Sequence, residues 1–168
     1  LTLNKIKPCT GLSPQQGGEI FYRTALGGVD LIKDDELLGN PQFSPVVERV
    51  KAFGEAAKRA ADQTGTTTIY VPNVTALGTA LLENAERAVD AGARAVMVAY
   101  GSVGYGMVAE LAGRIAVPIL GHYAGSAPLY EGTESGMSAG LAMGTFPRLA
   151  GADLVMLNTP YGGNPMTR

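Results

Sequence analysis

Short apolar, β-branched runs alternate along the chain with longer stretches whose apolar residues recur at helical spacing. The runs are residues 3–7, 29–33, 67–71, 93–100, 118–122 and 153–157, each of a length suited to a strand. Ser13-Pro14-Gln15-Gln16 predicts a helix start, with Ser13 as N-cap, Pro14 in the first turn and Gln16 placed for a capping box. Ser44-Pro45 repeats the device ahead of a long helix. There Val46, Val47, Val50, Phe53, Ala57 and Ala60 mark the inner stripe, and Glu48, Arg49, Glu55 and Lys58 the more exposed positions. Further helices are predicted at about 77–91, 104–116 and 137–149, with Gly27-Gly28, Gly65, Gly92 and Gly151 as turn residues before the next strand.

Six strands and five helices in strict alternation imply a parallel sheet covered by helices. No Gly-x-Gly-x-x-Gly follows the first strand, and polar residues gather at the C-terminal ends of several strands. That distribution predicts an α/β fold of the (β/α) barrel type rather than an open doubly wound sheet. A full eight-stranded barrel takes about 250 residues, so the 168 residues here read as one partial barrel domain of six units. Two strand edges and part of the apolar interior are then expected to lie open. The chain opens on Leu1, which suggests an excised or processed segment of a longer protein.

Composition narrows the function classes. The formal charge is −2 with no basic run, which argues against nucleic acid and anionic membranes as partners. No apolar stretch approaches the roughly 20 residues of a membrane span, and no secretory signal opens the chain, so a cytoplasmic location is expected. One cysteine, Cys9, and one histidine, His122, exclude a cysteine cluster or a multi-histidine site, so any divalent metal would need oxygen ligands.

The most informative stretch is Gly27-Gly28-Val29-Asp30-Leu31-Ile32-Lys33-Asp34-Asp35-Glu36. An apolar strand ending in Lys-Asp-Asp-Glu concentrates charge at one rim, and the two-residue period turns Lys33 and Asp35 to the same side. Asp35 and Glu36 supply the hard oxygen donors that Mg²⁺ prefers, though two carboxylates form a thin site. Reaction of Lys33 with CO₂ to give a carbamate would add a third. The competing explanation is a solvated loop with a surface salt bridge.

This stretch resembles the metal-site strand of the RuBisCO large subunit, and Lys5-Ile6-Lys7-Pro8-x-x-Gly11-Leu12 resembles that family's first barrel strand. Asn73-Val74-Thr75-Ala76 and His122 close the third and fifth strands in the matching order. The resemblance covers nearly the whole chain and implies a (β/α)8 barrel of the kind that forms the C-terminal domain of the RuBisCO large chain. It also implies that the family's N-terminal α+β domain and last two barrel strands lie outside these residues. By the same resemblance Lys33, carbamylated, joins Asp35 and Glu36 as ligands of Mg²⁺, Lys7 is the active-site lysine of the first strand, and Asn73 and His122 line the substrate pocket. The implied chemistry is proton abstraction beside a carbonyl, with either a Lys7 of lowered pKa or the carbamate as base. A homodimer acting on a small phosphorylated, sugar-like substrate is the corresponding expectation.

The departures from that pattern carry as much weight. Cys9 stands where carboxylating members have a second lysine, and Tyr123 where they have a phosphate-binding arginine. Leu154 and Met156 replace a His-x-His pair, and the loop Asn158-Thr159-Pro160-Tyr161-Gly162-Gly163 has no lysine to orient CO₂. The residues for enolisation are present and those for carboxylation are not, which resembles the non-carboxylating RuBisCO-like branch: isomerases, enolases and decarboxylases. Two other readings compete: a Schiff-base lyase with Lys7 or Lys33 as nucleophile, and a non-catalytic fragment or assembly module. Met97, Met107, Met137, Met143 and Met156 read as core filler, and Gly132, Gly136, Gly140 and Gly144 as close helix packing or a mobile loop.

Overall fold

The computed structural model describes residues 1–157. Six parallel strands alternate with helices: β1 (Leu3–Lys5), α1 (Pro14–Ala25), β2 (Leu31–Lys33), α2 (Val46–Thr64), β3 (Ile69–Val71), α3 (Ala80–Asp90), β4 (Val96–Ala99), α4 (Tyr100–Val103), α5 (Tyr105–Arg114), β5 (Ile119–His122), α6 (Ala127–Tyr130), a π turn (Leu141–Thr145) running into α7 (Phe146–Leu149), and β6 (Leu154–Val155). The strands form two three-stranded groups, β1-β2-β3 and β4-β5-β6. A bridge joins the groups where Asn73 meets Met97, with Val74 N–H donating to Met97 O (2.9 Å) and Met97 N–H to Pro72 O (2.8 Å). Spatial order therefore follows chain order, without the reversal that defines a doubly wound sheet. This is the partial barrel expected from the alternation.

Strand alternation divides the core in two. Leu31, Val71, Met97 and Leu120 point inward with Leu3 and Ile69, while Ile32, Tyr70, Val96, Val98 and Ile119 point outward into the helix layer. Among the described residues β1 pairs only with β2, and β6 only with β5. Between these edges Leu1, Leu3, Leu31, Leu120, Leu154 and Met156 line an apolar groove of about 340 Å³. The expected open interior is thus present. No helix of the described residues is long and apolar enough to cross a membrane.

Helix α1 starts as the sequence predicts: Gln16 N–H donates to Ser13 Oγ and Ser13 N–H to Gln16 Oε1 (2.9 Å). Helix α2 does not. Ser44 is not its cap; Pro45 occupies that position without a side-chain bond, and Asn40 Oδ1 accepts the Val46 N–H (2.8 Å) from six residues upstream. Arg49, expected at the surface, is 1% exposed, for a reason that belongs to the site below. The helix expected at 137–149 shrinks to residues 141–149. A Cβ at Gly140 or Gly144 would meet nothing within 4 Å, so these glycines do not serve close packing. Of the five methionines read as core filler, Met97 and Met143 are fully buried.

Helices α1 and α2 pack closely because α1 carries Gly17 and Gly18 at the contact. A Cβ on Gly17 would lie 2.7 Å from Cζ of Phe53, a buried ring tilted against Tyr70 at 4.4 Å between centroids. Replacing Gly17 with Ala should therefore cost about 1–3 kcal/mol through overpacking. The loss should appear as a lower urea midpoint at unchanged slope; an unchanged midpoint would mean that the Phe53 ring can move aside.

Candidate functional site

The two-residue period of β1 and β2 decides which charges face the barrel interior. Leu3, Lys5 and Lys7 fall on one side of the first segment, and Leu31, Lys33 and Asp35 on one side of the second. The parallel register places Lys5 beside Lys33. At the C-terminal mouth Lys7 Nζ is ion-paired with Asp35 Oδ2, and Lys5 Nζ lies 3.7 Å from Asp35 Oδ2 and 3.7 Å from Glu36 Oε2. Lys33 Nζ lies 3.6 Å from Glu36 Oε2 and donates to Asp34 O at 3.0 Å. From β5, His122 brings Nε2 to 3.6 Å from the same Glu36 oxygen. Lys33 and Asp35 are buried, so the solvated-loop explanation fails.

Asp34 points the other way, into the helix layer, and anchors this mouth. Its carboxylate accepts from Tyr70 Oη (2.8 Å), from Asn73 N–H (2.9 Å) and from Arg49 Nε (3.3 Å), with Arg49 Nη2 at 3.2 Å. Arg49 also donates to the carbonyls of Ser44 and Gly39. One buried guanidinium therefore ties the end of β2 to α2 and to the loop between them. Burial, and next to it the Asp34 carboxylate, push the Tyr70 hydroxyl well above its usual pKa, so it stays a donor.

Asn73 is fully buried, and its side chain is committed to the protein. Nδ2 donates to Glu36 O (2.9 Å) and Asp35 O (3.2 Å), while Oδ1 accepts from Thr75 N–H (3.0 Å) and Thr75 Oγ1 (2.6 Å). These bonds describe a brace for the Asp35-Glu36 backbone. Ala124 N–H donates to His122 Nδ1 (3.1 Å), which leaves the proton of the neutral ring on Nε2, facing Glu36. Tyr123 stacks on His122 at 5.0 Å between ring centroids. Cys9 is a free, half-buried thiol, and the loop at 158–163 lies outside the described residues.

Electrostatics separates the lysines. Burial lowers the pKa of Lys33, and the neighbouring Lys5 ammonium adds to the effect against the pull of Glu36. The hydrogen bond to Asp35 raises that of Lys7. The lysine of lowered pKa in this structure is thus Lys33 and not Lys7. Burial would push Asp35 up, but Lys7 and the Leu37 N–H outweigh it and hold the carboxyl below its usual range. Burial likewise opposes, and the Glu36 N–H and Lys33 outweigh, at Glu36. Burial and the Lys33 ammonium together lower His122 to about 4.

The donor set fits a hard divalent cation. Asp35 Oδ2 and Glu36 Oε2 are buried and take no hydrogen bond from the backbone, so two anionic oxygens converge on ammonium groups whose place a divalent cation can take. Among the described residues no cluster of three or more Asp, Glu, His or Cys groups is placed to hold a metal. A third oxygen would have to come from Lys33, whose buried amine is biased toward the neutral form that attacks CO₂. Sequence reasoning missed Lys5 and Arg49. The two-residue spacing of Lys5 and Lys7 could have found the first; no local pattern marks the second.

Comparison with known proteins agrees with the fold. The family model for the catalytic domain of the ribulose bisphosphate carboxylase large chain matches residues 3–165. A ribulose bisphosphate carboxylase-like protein of Archaeoglobus fulgidus is 45% identical over 165 residues, 97% of this chain and 38% of the relative. A 2,3-diketo-5-methylthiopentyl-1-phosphate enolase of Microcystis aeruginosa is 32% identical over 98% of this chain and 43% of its own length. Among solved structures, a rubisco-like protein (MtnW) from Alicyclobacillus acidocaldarius superposes with a TM-score of 0.93 at 37% identity, covering 100% of this chain and 43% of that one. The chain therefore spans about two fifths of the length of these relatives.

Two measurements follow from the site. Tyr70→Phe removes a buried hydrogen bond to a charged group and should cost about 1.5–3 kcal/mol of stability by denaturant unfolding; a neutral result would show that Arg49 and Asn73 alone satisfy Asp34. In metal-free protein, ¹⁵N-edited NMR should find the His122 ring neutral down to pH 5. Because its pKa falls from 6.5 to about 4 on folding, the unfolded chain binds the extra proton in that window. Stability should then decline as pH drops from 6.5 toward 4, and a His122 titration near 6.5 would refute the burial argument.

Proposed function

The chain belongs to the ribulose bisphosphate carboxylase large-chain family, and on that premise we propose that it carries the metal site of a Mg²⁺-dependent enolising enzyme of the non-carboxylating, RuBisCO-like branch. The substrate class is a phosphorylated, sugar-derived ketone, and among the relatives the 2,3-diketo-5-methylthiopentyl-1-phosphate enolases bear names of that kind. The whole protein would be a cytoplasmic homodimer. One observation carries the reading: Asp35 Oδ2 and Glu36 Oε2, buried and without a backbone hydrogen bond, converge beside the buried amine of Lys33.

In this reading Lys33, as its carbamate, Asp35 and Glu36 would hold Mg²⁺. When bound, the metal polarises a substrate carbonyl and so acidifies the adjacent C–H. Burial prepares Lys33 for the covalent step: its neutral amine would add to CO₂, forming one N–C bond as one C=O π bond opens to an oxyanion, with one amine proton passing to water. A carbamate on Lys33 would supply the base, since Lys7 is held protonated by Asp35. Lys7 is instead a cation for developing negative charge on the substrate oxygen. His122, neutral with its proton on Nε2, is a hydrogen-bond donor at the same mouth. Asn73 keeps the backbone of Asp35 and Glu36 in place.

A second reading has one observation in its favour. A buried lysine of lowered pKa also suits Schiff-base formation. The two readings part on a single comparison, native mass and Mg²⁺ affinity of the full-length protein with and without bicarbonate, alongside Lys33→Ala. Carbamate formation predicts a mass gain of one CO₂ unit and tighter Mg²⁺ binding, both lost in the variant. Absence of a bicarbonate effect, with borohydride trapping of a carbonyl substrate on Lys33, would replace the enolising reading by the Schiff-base one.

A further inference from the structure

The ion pairs at the barrel mouth are not equivalent. Lys7 reaches only Asp35, and Lys33 only Glu36, whereas Lys5 Nζ stands 3.7 Å from Asp35 Oδ2 and 3.7 Å from Glu36 Oε2. Those two oxygens are buried and take no hydrogen bond from the backbone. A cation equidistant from both carboxylate oxygens stands where it opposes a divalent ion that binds the two together. Lys5 is also less committed than Lys33: its side chain is 34% exposed where that of Lys33 is buried, so its ammonium can swing to water while its stem stays on β1.

We propose that Lys5 is a tethered counter-cation of the metal site, holding Asp35 and Glu36 together before the metal arrives and opposing its binding until displaced. This rests on the metal reading given above. Without a cation between them, two converging carboxylates repel and drift apart or take up a proton. With Lys5 between them they stay ionised and close. Mg²⁺ must then break both contacts, so its measured affinity is the intrinsic affinity reduced by the strength of the Lys5 pairs. Conversion of Lys33 to an anion reverses the balance, because three negative groups then face two ammonium groups instead of two facing three. Lys5 thus makes metal binding conditional on the state of Lys33.

The test is calorimetric Mg²⁺ binding to the full-length protein in bicarbonate and without substrate, for the wild type, Lys5→Met, Lys5→Gln and Lys5→Arg. The neutral variants should bind Mg²⁺ about tenfold more tightly, the scale of two partly exposed ion pairs. The gain should shrink at high salt, where such pairs are screened. Lys5→Arg should remain close to the wild type, and Mg²⁺ should raise the melting temperature of the neutral variants more than that of the wild type. Wild-type binding with equal or weaker affinity in both neutral variants overturns the role of Lys5 and leaves the metal reading standing. No Mg²⁺ binding by any of the four proteins overturns both.

Discussion

The site depends on one buried carboxylate that takes no part in its chemistry. Asp34 is wholly removed from water, and such a charge is tolerated only when paired and hydrogen-bonded. Arg49, Tyr70 and the Asn73 N–H meet that demand together. Because they do, the chain after β2 has one way to run: Asp34 outward, Asp35 inward, and the loop to α2 pinned by the same guanidinium at Gly39 and Ser44. Removing one partner of a buried pair typically costs about 3–5 kcal/mol, so the geometry at the mouth is fixed from behind.

On the inner face the balance is inverted. Where Asp34 is met by a guanidinium, a hydroxyl and a backbone N–H, Asp35 and Glu36 each keep a buried oxygen faced by side-chain cations but by no backbone donor. Such acceptors are costly to bury, and they persist here because the outer clamp and the Asn73 brace leave the backbone no route of relaxation. The same burial that makes these oxygens costly depresses the pKa of Lys33 and of His122. Cost and reactivity at the mouth therefore have a common cause, the exclusion of water by a barrel wall.

Much of this is legible in the sequence, for physical reasons that can be named. Period-two alternation separates Lys33 and Asp35 from Asp34, and the run of apolar residues before them places all three at a strand end. The cap of α1 is readable because Ser13 and Gln16 are three residues apart. Arg49 is not, because helical periodicity sees only where a residue lies on its own helix and puts a charge outside unless a partner is known. That partner, Asp34, is fifteen residues away. Ser44 misleads for a similar reason: Asn40, further upstream, takes the cap. The chemistry of Lys7 escapes a reading of the sequence because its strand is visible there, but not the carboxylate standing against its ammonium.

The two aspartates after Lys33 are chemically identical neighbours with opposite duties, assigned only by which way the pleat turns. Substitution elsewhere in β2 changes packing by degrees, but loss or gain of one codon between Gly28 and Asp34 would exchange their places. The structural carboxylate would face the pocket and the ligand would face the helices. Such a segment can drift widely in composition while remaining fixed in length, so related genes should vary here by replacement and hardly ever by insertion or deletion.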